Sequence, residues 1–372
     1  MIRRGLVYLY QRWFLVLFAR FFGPAYENLL RQENPADFSL EDLNALSGAS
    51  YVGNNVVKIN SRTDHFGVLL GGNELSFQKR KQADFFYLYG SGIDLFKYFL
   101  LRSAKRLSIP RVYVEDGFLR SVDMPFAEPG VSMLVDDVSI YYDARRSSRL
   151  ELLLNSDEVL TDDQLDRARR VMQRIRELKV TKYNLAPIYE PNVGRAGRKK
   201  VLVIDQAYQD FSISFGLASD ASFEEMLAAA QLEHPEKDII VKTHPEAFCG
   251  GRKGYFTGLK QAENVYPFTD PICPYSLLEA VDEVYCVTTQ MGFEALMCGK
   301  KVHCFGMPFY GGWGVTKDRV TCSRRVRKRS VEEIFYFSYI AYSRYMNPET
   351  GKRCEIEETI EYLVNLRLLK EC

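Results

Sequence analysis

Short apolar runs that end in glycine or a polar residue alternate with segments of helical period in the first half of the chain. The runs FGVLLGG, DFFYLYG and VYVEDGF, which begin at positions 66, 84 and 112, are typical of buried strands. Between the second and third runs, IDLFKYFLLRSAKRL has apolar positions spaced as on a helix, and Pro110 ends that helix. This β–α–β alternation predicts a parallel sheet covered by helices.

The same design begins again after a linker. Residues 184–200 contain two prolines, two glycines and a basic run, and the runs VLVIDQ, DIIVKTHP, VDEVYCVTTQ and KVHCFG follow as predicted strands. We therefore expect an α/β chain with two Rossmann-like domains, over 1–190 and 198–325. Their facing strand ends would enclose a ligand cleft. From 326 to 372 the pattern indicates amphipathic helix without strands, packed back across the domains.

Composition and charge exclude several classes of function. The chain has 372 residues and a net charge of +1 from 49 basic and 48 acidic residues, which disfavours a nucleic-acid-binding surface. Its eight cysteines form no CxxC pair, so we expect reduced thiols and a cytoplasmic protein. The four histidines have no HxxxH or HxH spacing, which gives a zinc site little support.

The first 22 residues are rich in aromatic residues and leucine, but Arg12 and Arg20 interrupt the apolar stretch. These charges argue against a membrane-spanning helix, and the absence of a small-residue cleavage site argues against a signal peptide. Two interpretations stay open. The segment is either a helix packed on the first domain or a basic–aromatic helix lying on the membrane surface, which would place the protein at the inner face of the inner membrane.

Two adjacent carboxylates, Glu115 and Asp116, stand at the end of the predicted strand VYVED, just before Gly117. Ligands bind at the carboxyl ends of strands in open α/β sheets, so the position suggests a catalytic role. The alternative is an ordinary Asp-Gly turn.

The run VKTHPE places Lys242 and His244 at the end of a strand, followed by Pro245. Side chains two residues apart in an extended chain point the same way, which suits binding of a phosphate. The alternative is a histidine that makes only local hydrogen bonds.

A strand-to-helix turn, TTQMGFEAL, offers a second phosphate-binding element. The N–H groups and dipole of the helix, with hydroxyls of the turn, would bind the phosphate. A well-capped helix is the alternative interpretation. The candidate residues are Thr288, Thr289, Gln290, Gly292 and Glu294.

Polar residues also follow the first strand of the second domain, where Gln206, Asp210 and Ser212 are predicted to face the cleft. The alternative for them is a solvated loop. The glycine-aromatic loop FGMPFYGGWGVTKDR, which includes Gly312, is suited to close over a base or sugar. Carboxylates in one domain and phosphate-binding groups in the other are what group transfer from a nucleotide donor requires.

These motifs resemble those of the capsule-polysaccharide Kdo transferases. EDGFLRS, the Gln–Asp–Ser set, KTHPE, TTQMGFEAL and PFYGGWGVTKDR occur in that family's order, between about positions 65 and 320. Bacterial sialyltransferases are similar at the acidic and HP motifs only. The resemblance implies a modified GT-B arrangement of two Rossmann domains and retaining β-Kdo transfer. The family's best-known capsule members carry two such lobes in tandem, whereas this chain has one.

The resemblance also implies a substrate and residue roles. CMP-β-Kdo would be the donor, bound by His244 and the 288–294 turn, and a saccharide or lipid-linked acceptor would receive the sugar. Asp210 matches the family's attacking carboxylate, and Glu115 or Asp116 would serve as acid–base group, with a preference for Glu115.

Two further expectations come from the residues themselves. Lys242 and Arg120 are candidates to bind the carboxylate of the donor sugar. No metal or other cofactor is expected, because no DxD motif stands at a strand end. Two other functions stay open, a CDP-glycerol-type polyol-phosphate transferase and a non-catalytic protein of polysaccharide assembly or export.

Overall fold

The computed structural model describes residues 55–59, 73–74, 81–83, 85–90, 95–123, 128, 130–244 and 253–371. The N-terminal segment and Pro245, both singled out from the sequence, lie outside these ranges. Within them, no helix combines the length and the apolar character needed to cross a membrane.

The described strands and helices are numbered in chain order. The strands are β1 (Asn55–Ile59), β2 (Asn73–Glu74), β3 (Phe85–Tyr89), β4 (Arg111–Asp116), β5 (Ser132–Asp136), β6 (Lys200–Ile204), β7 (Asp238–Lys242), β8 (Val265–Phe268), β9 (Glu283–Cys286), β10 (Lys301–Cys304), β11 (Lys317–Asp318), β12 (Ser343–Asn347) and β13 (Lys352–Cys354). The helices are α1 (Leu95–Leu107), α2 (Arg149–Asn155), α3 (Asp162–Glu177), α4 (Phe211–Phe215), α5 (Ala221–Glu233), α6 (Pro274–Glu279), α7 (Met291–Met297), α8 (Val331–Phe335), which continues as a π-helix over Tyr336–Tyr342, and α9 (Ile356–Glu371).

The strands form two sheets, so the chain is a mixed α/β protein. The second sheet has six parallel strands in the order β8-β7-β6-β9-β10-β11. Counted from β6, this is the 3-2-1-4-5-6 order of dinucleotide-binding domains, whose strand order reverses between β6 and β9. Strands β6 and β7 are almost entirely buried, as expected for a parallel sheet covered on both faces. The parallel sheet predicted for the second domain is confirmed.

The first sheet is mixed, which corrects the prediction of a parallel one. Its seven strands lie in the order β13-β12-β5-β4-β3-β1-β2. The strands from β2 to β4 are parallel, whereas β5, β12 and β13 pair antiparallel. Strand β5 returns beside β4 without a crossover helix, which an antiparallel pair permits and a parallel pair does not.

The expectation that the last 45 residues contain no strands is wrong. After the π-helix, Ser343 pairs with Leu134 of β5, and β13 then adds an outer strand. Tyr342 donates a hydrogen bond of 2.7 Å from its hydroxyl to Asp136, which anchors the point where helix becomes strand. The run FYFSYIAYSRYM suits a buried helix and a strand equally well, and the free edge of β5 decides between them.

Aromatic side chains join the two sheets in one buried cluster. Phe118, which follows β4, is fully buried and stacks on Tyr339 of the π-helix at 4.6 Å between ring centroids. It also lies 4.8 Å from the ring of Phe309, which in turn packs on Phe293 of α7 at 5.2 Å. The carboxyl end of β4 is therefore held against the second sheet through Phe118.

We predict that Gly117→Ala destabilises the fold by about 1–3 kcal/mol, the usual cost of overpacking a core position. A Cβ at this position would lie 2.0 Å from Oγ of Ser132 and 2.9 Å from its backbone carbon. Urea unfolding measures the effect. Gly197→Asn is the control, since Gly197 has open space around it and asparagine tolerates its φ of +70°. Equal stability of Gly117→Ala and wild type would contradict the prediction.

Candidate active site

The two acids at the end of β4 differ in their partners. Glu115 accepts hydrogen bonds from the backbone N–H of Asp116 at 3.1 Å and from the hydroxyl of Tyr142 at 3.2 Å. Burial, reinforced by the charge of Asp116, raises the pKa of Glu115 to about 6. Asp116 is buried and forms an ion pair of 2.8 Å with Arg120. Glu115 therefore holds a proton more readily than an ordinary glutamate does.

Arg120, predicted to bind a donor carboxylate, has internal partners in the structure. Besides its ion pair with Asp116, it donates to Oγ of Ser121 at 2.9 Å and to the backbone oxygen of Glu128 at 3.1 Å. These contacts connect Asp116 to the loop after β4 through Arg120.

Lys182 also lies beside these two acids, a position that its local sequence does not indicate. Its backbone oxygen accepts from the N–H groups of Arg120 and Ser121, which attaches the segment before the linker to the loop after β4. Burial alone would lower the pKa of its ammonium group. The neighbouring residues Tyr183, Tyr141, Asp116 and Glu115 instead raise that pKa above its ordinary value. Lys182 therefore carries a positive charge beside the two acids of β4.

Gln206, Ser212 and Thr288 come together where the strand order of the second sheet reverses. The side-chain amide of Gln206 donates to Oγ1 of Thr288 at 3.0 Å, and its oxygen accepts from the N–H of Thr288 at 2.8 Å. The hydroxyl of Ser212 lies 3.3 Å from the same Oγ1. Gln206 follows β6 and Thr288 follows β9, so their contact marks the crevice in which such sheets bind ligands.

Asp210 lies at the N-cap of α4, with its Oδ1 accepting from the N–H of Ser212 at 2.9 Å. Tyr141 links it electrostatically to the first domain. Burial raises the pKa of the Tyr141 hydroxyl, Lys182 opposes that effect, and the charges of Glu115, Asp210 and Asp116 add to it. The charges of Asp210 and Glu115 therefore both act on this one hydroxyl.

Residues of the turn before α7 contact the first domain. Gln290 donates from its side chain to the backbone oxygen of Phe118 at 2.9 Å, and Glu294 accepts from the hydroxyl of Thr181 at 2.5 Å. Burial raises the pKa of Glu294 to about 7. Both residues are predicted to bind the donor, and in the structure their side chains bond to Phe118 and Thr181.

The N–H groups at the start of α7 are bonded within the turn itself. The N–H of Met291 donates to Oγ1 of Thr289 at 3.4 Å, and the N–H of Gly292 donates to the backbone oxygen of Thr289 at 3.2 Å. The N–H of Phe293 donates to the backbone oxygen of Gln290. A Cβ on Gly292 would lie 2.0 Å from the hydroxyl oxygen of Tyr310, so glycine is needed there for close packing. The N–H groups of Met291, Gly292 and Phe293 are therefore engaged within the turn.

The remaining candidates lie around the same strand ends. Lys242 is buried, donates to the backbone oxygen of Thr243 at 3.1 Å, and has a pKa lowered to about 8 by burial. The backbone of His244 binds the carboxylate of Asp205, a residue that also accepts from the N–H groups of Tyr255 and Phe256.

Gly312 lies in the glycine-aromatic loop. It has a φ of +81° in the loop after β10, and its N–H donates to Asp318 at 2.9 Å.

Over the described ranges, no group of three or more His, Cys, Asp or Glu side chains is arranged to hold a metal ion.

Comparison with known proteins identifies the family. The sequence profile described as "Capsule polysaccharide biosynthesis protein" matches residues 190–348. In structure, the chain is similar to the β-Kdo 2,4 transferase of Thermosulfurimonas dismutans KpsC, with a TM-score of 0.79 and 37% identity, covering 85% of this chain and 100% of that one. The chain belongs to the capsule polysaccharide biosynthesis family. The resemblance indicated by its five motifs is confirmed.

Other members of the family are similar over much of the chain. The β-Kdo 2,7 transferase of the same KpsC has a TM-score of 0.59 at 26% identity, covering 84% of this chain and 99% of that one. Capsule polysaccharide modification protein LipA of Neisseria meningitidis is 41% identical over 269 residues, 70% of this chain and 38% of LipA. Lipopolysaccharide-processing protein LpsZ of Rhizobium meliloti is 38% identical over 267 residues, 70% of this chain and 61% of LpsZ. The chain thus spans less than two thirds of the length of these two relatives.

We predict that Glu294→Gln reduces the loss of stability at high pH. The folded protein holds the Glu294 proton more tightly than the unfolded chain, whose pKa is near 4.5. The stabilisation is therefore complete below about pH 4.5 and is lost as pH rises through about 7. The difference in the free energy of unfolding between variant and wild type should change by up to about 3 kcal/mol between pH 5 and 8, as measured by urea unfolding.

The exposed Glu263→Gln provides the control, because that carboxyl lies in solvent. If Glu294→Gln and wild type have the same pH dependence of unfolding, the side chain of Glu294 is not the buried titrating group described above.

Proposed function

We propose that the protein transfers Kdo from CMP-β-Kdo to a saccharide or lipid-linked acceptor, with retention of configuration, in capsule polysaccharide biosynthesis. The observation that carries the proposal is the similarity to the KpsC β-Kdo 2,4 transferase, which extends over the whole of that chain. Glu115 and Asp210, whose charges both act on the hydroxyl of Tyr141, would supply the two carboxylates that retention by double displacement requires. The two sheets would form the modified GT-B arrangement, with the reaction between their carboxyl ends.

The donor is proposed to bind at the reversal of strand order in the second sheet. Hydroxyl groups of Ser212, Thr288 and Thr289 would be partners for the CMP phosphate, and Gln206 holds Thr288 in place. Lys242 and His244 end the neighbouring strand and would complete the donor site. No metal is assigned a role in this proposal.

Asp210 is proposed as the nucleophile. Its carboxylate would attack the anomeric carbon as the bond to the CMP phosphate oxygen breaks, giving a glycosyl ester and free CMP. An acceptor hydroxyl would then attack the same carbon and release the Asp210 carboxylate. Two inversions at one carbon give net retention.

Glu115 is proposed as the group that takes the proton of the acceptor hydroxyl. A carboxyl with a pKa of about 6 is largely ionised at neutral pH and still basic enough to accept a proton. Asp116 is less suited, because its carboxylate is engaged by Arg120. Lys182 would stabilise negative charge that develops beside the two acids.

The donor assignment can be tested by incubating the protein with CMP-β-Kdo or CDP-glycerol and following release of CMP. We expect turnover of CMP-β-Kdo, with the anomeric configuration of the product given by NMR. Turnover of CDP-glycerol alone would overturn the assignment in favour of a polyol-phosphate transferase.

We predict that Asp210→Asn lowers the rate of transfer by at least roughly a thousandfold, because the covalent route needs this carboxylate. Calorimetric affinity for CMP should stay within about threefold of wild type, which separates chemistry from binding. Asp220→Asn is the control, as Asp220 accepts from the hydroxyl of Tyr255 on an exposed part of the same domain. Near-normal transfer by Asp210→Asn would exclude Asp210 as the nucleophile.

A further inference from the structure

We propose that Tyr142 is a positioning residue, which orients the carboxyl of Glu115 toward the reacting sugar and joins it to the helix that begins at Asp210. The inference rests on the proposed function and adds a residue to it. It comes from the contacts that Tyr142 makes with both domains.

Tyr142 holds one oxygen of Glu115 while the backbone holds the other. The Tyr142 hydroxyl donates to Oε2 at 3.2 Å, and the N–H of Asp116 donates to Oε1 at 3.1 Å. Two donors on different oxygens fix the plane of the carboxyl group. A base must be oriented as well as basic, because proton transfer needs the acceptor hydroxyl within hydrogen-bond reach.

The ring of Tyr142 faces the second domain. It lies 6.2 Å from the ring of Phe215, the last residue of α4, whose backbone oxygen accepts from the N–H of Ala144 at 2.9 Å. The guanidinium carbon of Arg145 lies 3.7 Å from the centroid of the Phe215 ring. Residues 142–145 therefore hold the end of α4, and the other end of this short helix is capped by Asp210.

This arrangement connects the two carboxylates of the proposed reaction through one short path. Glu115 contacts Tyr142, Tyr142 packs on Phe215, and Phe215 belongs to the helix that Asp210 begins. A helix of five residues moves as a unit, so restraining Phe215 also restrains Asp210. Tyr142 thus sets the position of the base relative to the nucleophile.

The hydroxyl of Tyr142 also affects the charge state of Glu115. Its hydrogen bond favours the ionised carboxylate and lowers a pKa that burial and Asp116 raise. Charged and titratable groups on four segments also interact electrostatically with Glu115: Asp116, Tyr89, Tyr141, Lys182 and Tyr183, with Arg120 paired to Asp116 beside it. Replacing Tyr142 by phenylalanine leaves all of these in place and removes one donor to the carboxylate.

The experiment compares Tyr142→Phe with Tyr345→Phe, in steady-state transfer from CMP-β-Kdo between pH 5 and 9. Tyr345 is the matched control, because its buried hydroxyl also donates one hydrogen bond, to the backbone oxygen of Tyr339 at 2.6 Å. For Tyr142→Phe we expect kcat to fall about tenfold, KM for the donor to stay within about twofold, and the acid limb of kcat/KM to move to higher pH. The control should change none of these.

Unchanged kcat and an unmoved acid limb in Tyr142→Phe would overturn the inference, as would equal losses in both variants. The carboxyl pKa of Glu115, followed by 13C NMR and assigned with Glu115→Gln, gives a readout that does not depend on activity. It should rise in Tyr142→Phe only. If wild type releases no CMP from CMP-β-Kdo, the proposed function fails, and the NMR pKa still decides whether Tyr142 acts on Glu115.

Discussion

The burial of Phe118 between the two sheets is the contact on which the rest of the site depends. Its ring stacks on Tyr339 and packs on Phe309, while its backbone oxygen accepts from Gln290 at the start of α7. Full burial of a phenylalanine side chain contributes roughly 1.5–3 kcal/mol by area, so moving the domains apart would expose a costly apolar surface. Asp116 is two residues before Phe118, so this apolar contact holds the acids of β4 against the second sheet. The C-terminal segment contributes directly to the packing around Phe118, because Tyr339 belongs to that segment.

The buried acids at the interface have different partners. Asp116 is paired with Arg120, Glu294 accepts from Thr181 and has a pKa of about 7, and Glu115 accepts from Tyr142 and has a pKa of about 6. Burial disfavours the charged forms of Glu115 and Glu294 and is the main cause of both raised pKa values. Lys182 adds a positive charge that limits the rise of the pKa of Glu115. A carboxyl whose pKa is raised toward neutral suits acid–base chemistry at neutral pH, and burial is the main cause of that rise in Glu115.

The parts of the fold and site that could be predicted from the sequence follow directly from local pattern. Strands β4, β6, β7 and β9 are apolar runs with polar residues at their carboxyl ends, so Glu115, Gln206 and Thr288 could be placed at strand ends without coordinates. The pairing of Gln206 with Thr288 depends on the strand order that the structure shows, with β6 beside β9. What could not be predicted depends on contacts between distant segments. Strand β12 exists because β5 has a free edge, and Lys182 and Tyr142 reach Glu115 through chain paths that have no local signature. Gln290 and Glu294 carry the polarity expected of ligand-binding groups, and only the folded chain shows that Phe118 and Thr181 use them.

The central claim is that one site, made from the carboxyl ends of both sheets, binds a CMP-sugar and acts on it with Asp210 and Glu115. A crystal structure of the protein with CMP tests this most directly. The account predicts that the phosphate of CMP lies at the reversal between β6 and β9, within hydrogen-bond distance of the hydroxyls of Ser212 or Thr288, with Asp210 and Glu115 facing the space beside that phosphate. CMP bound elsewhere, or bound at the reversal with both carboxylates turned away from its phosphate, would contradict the account.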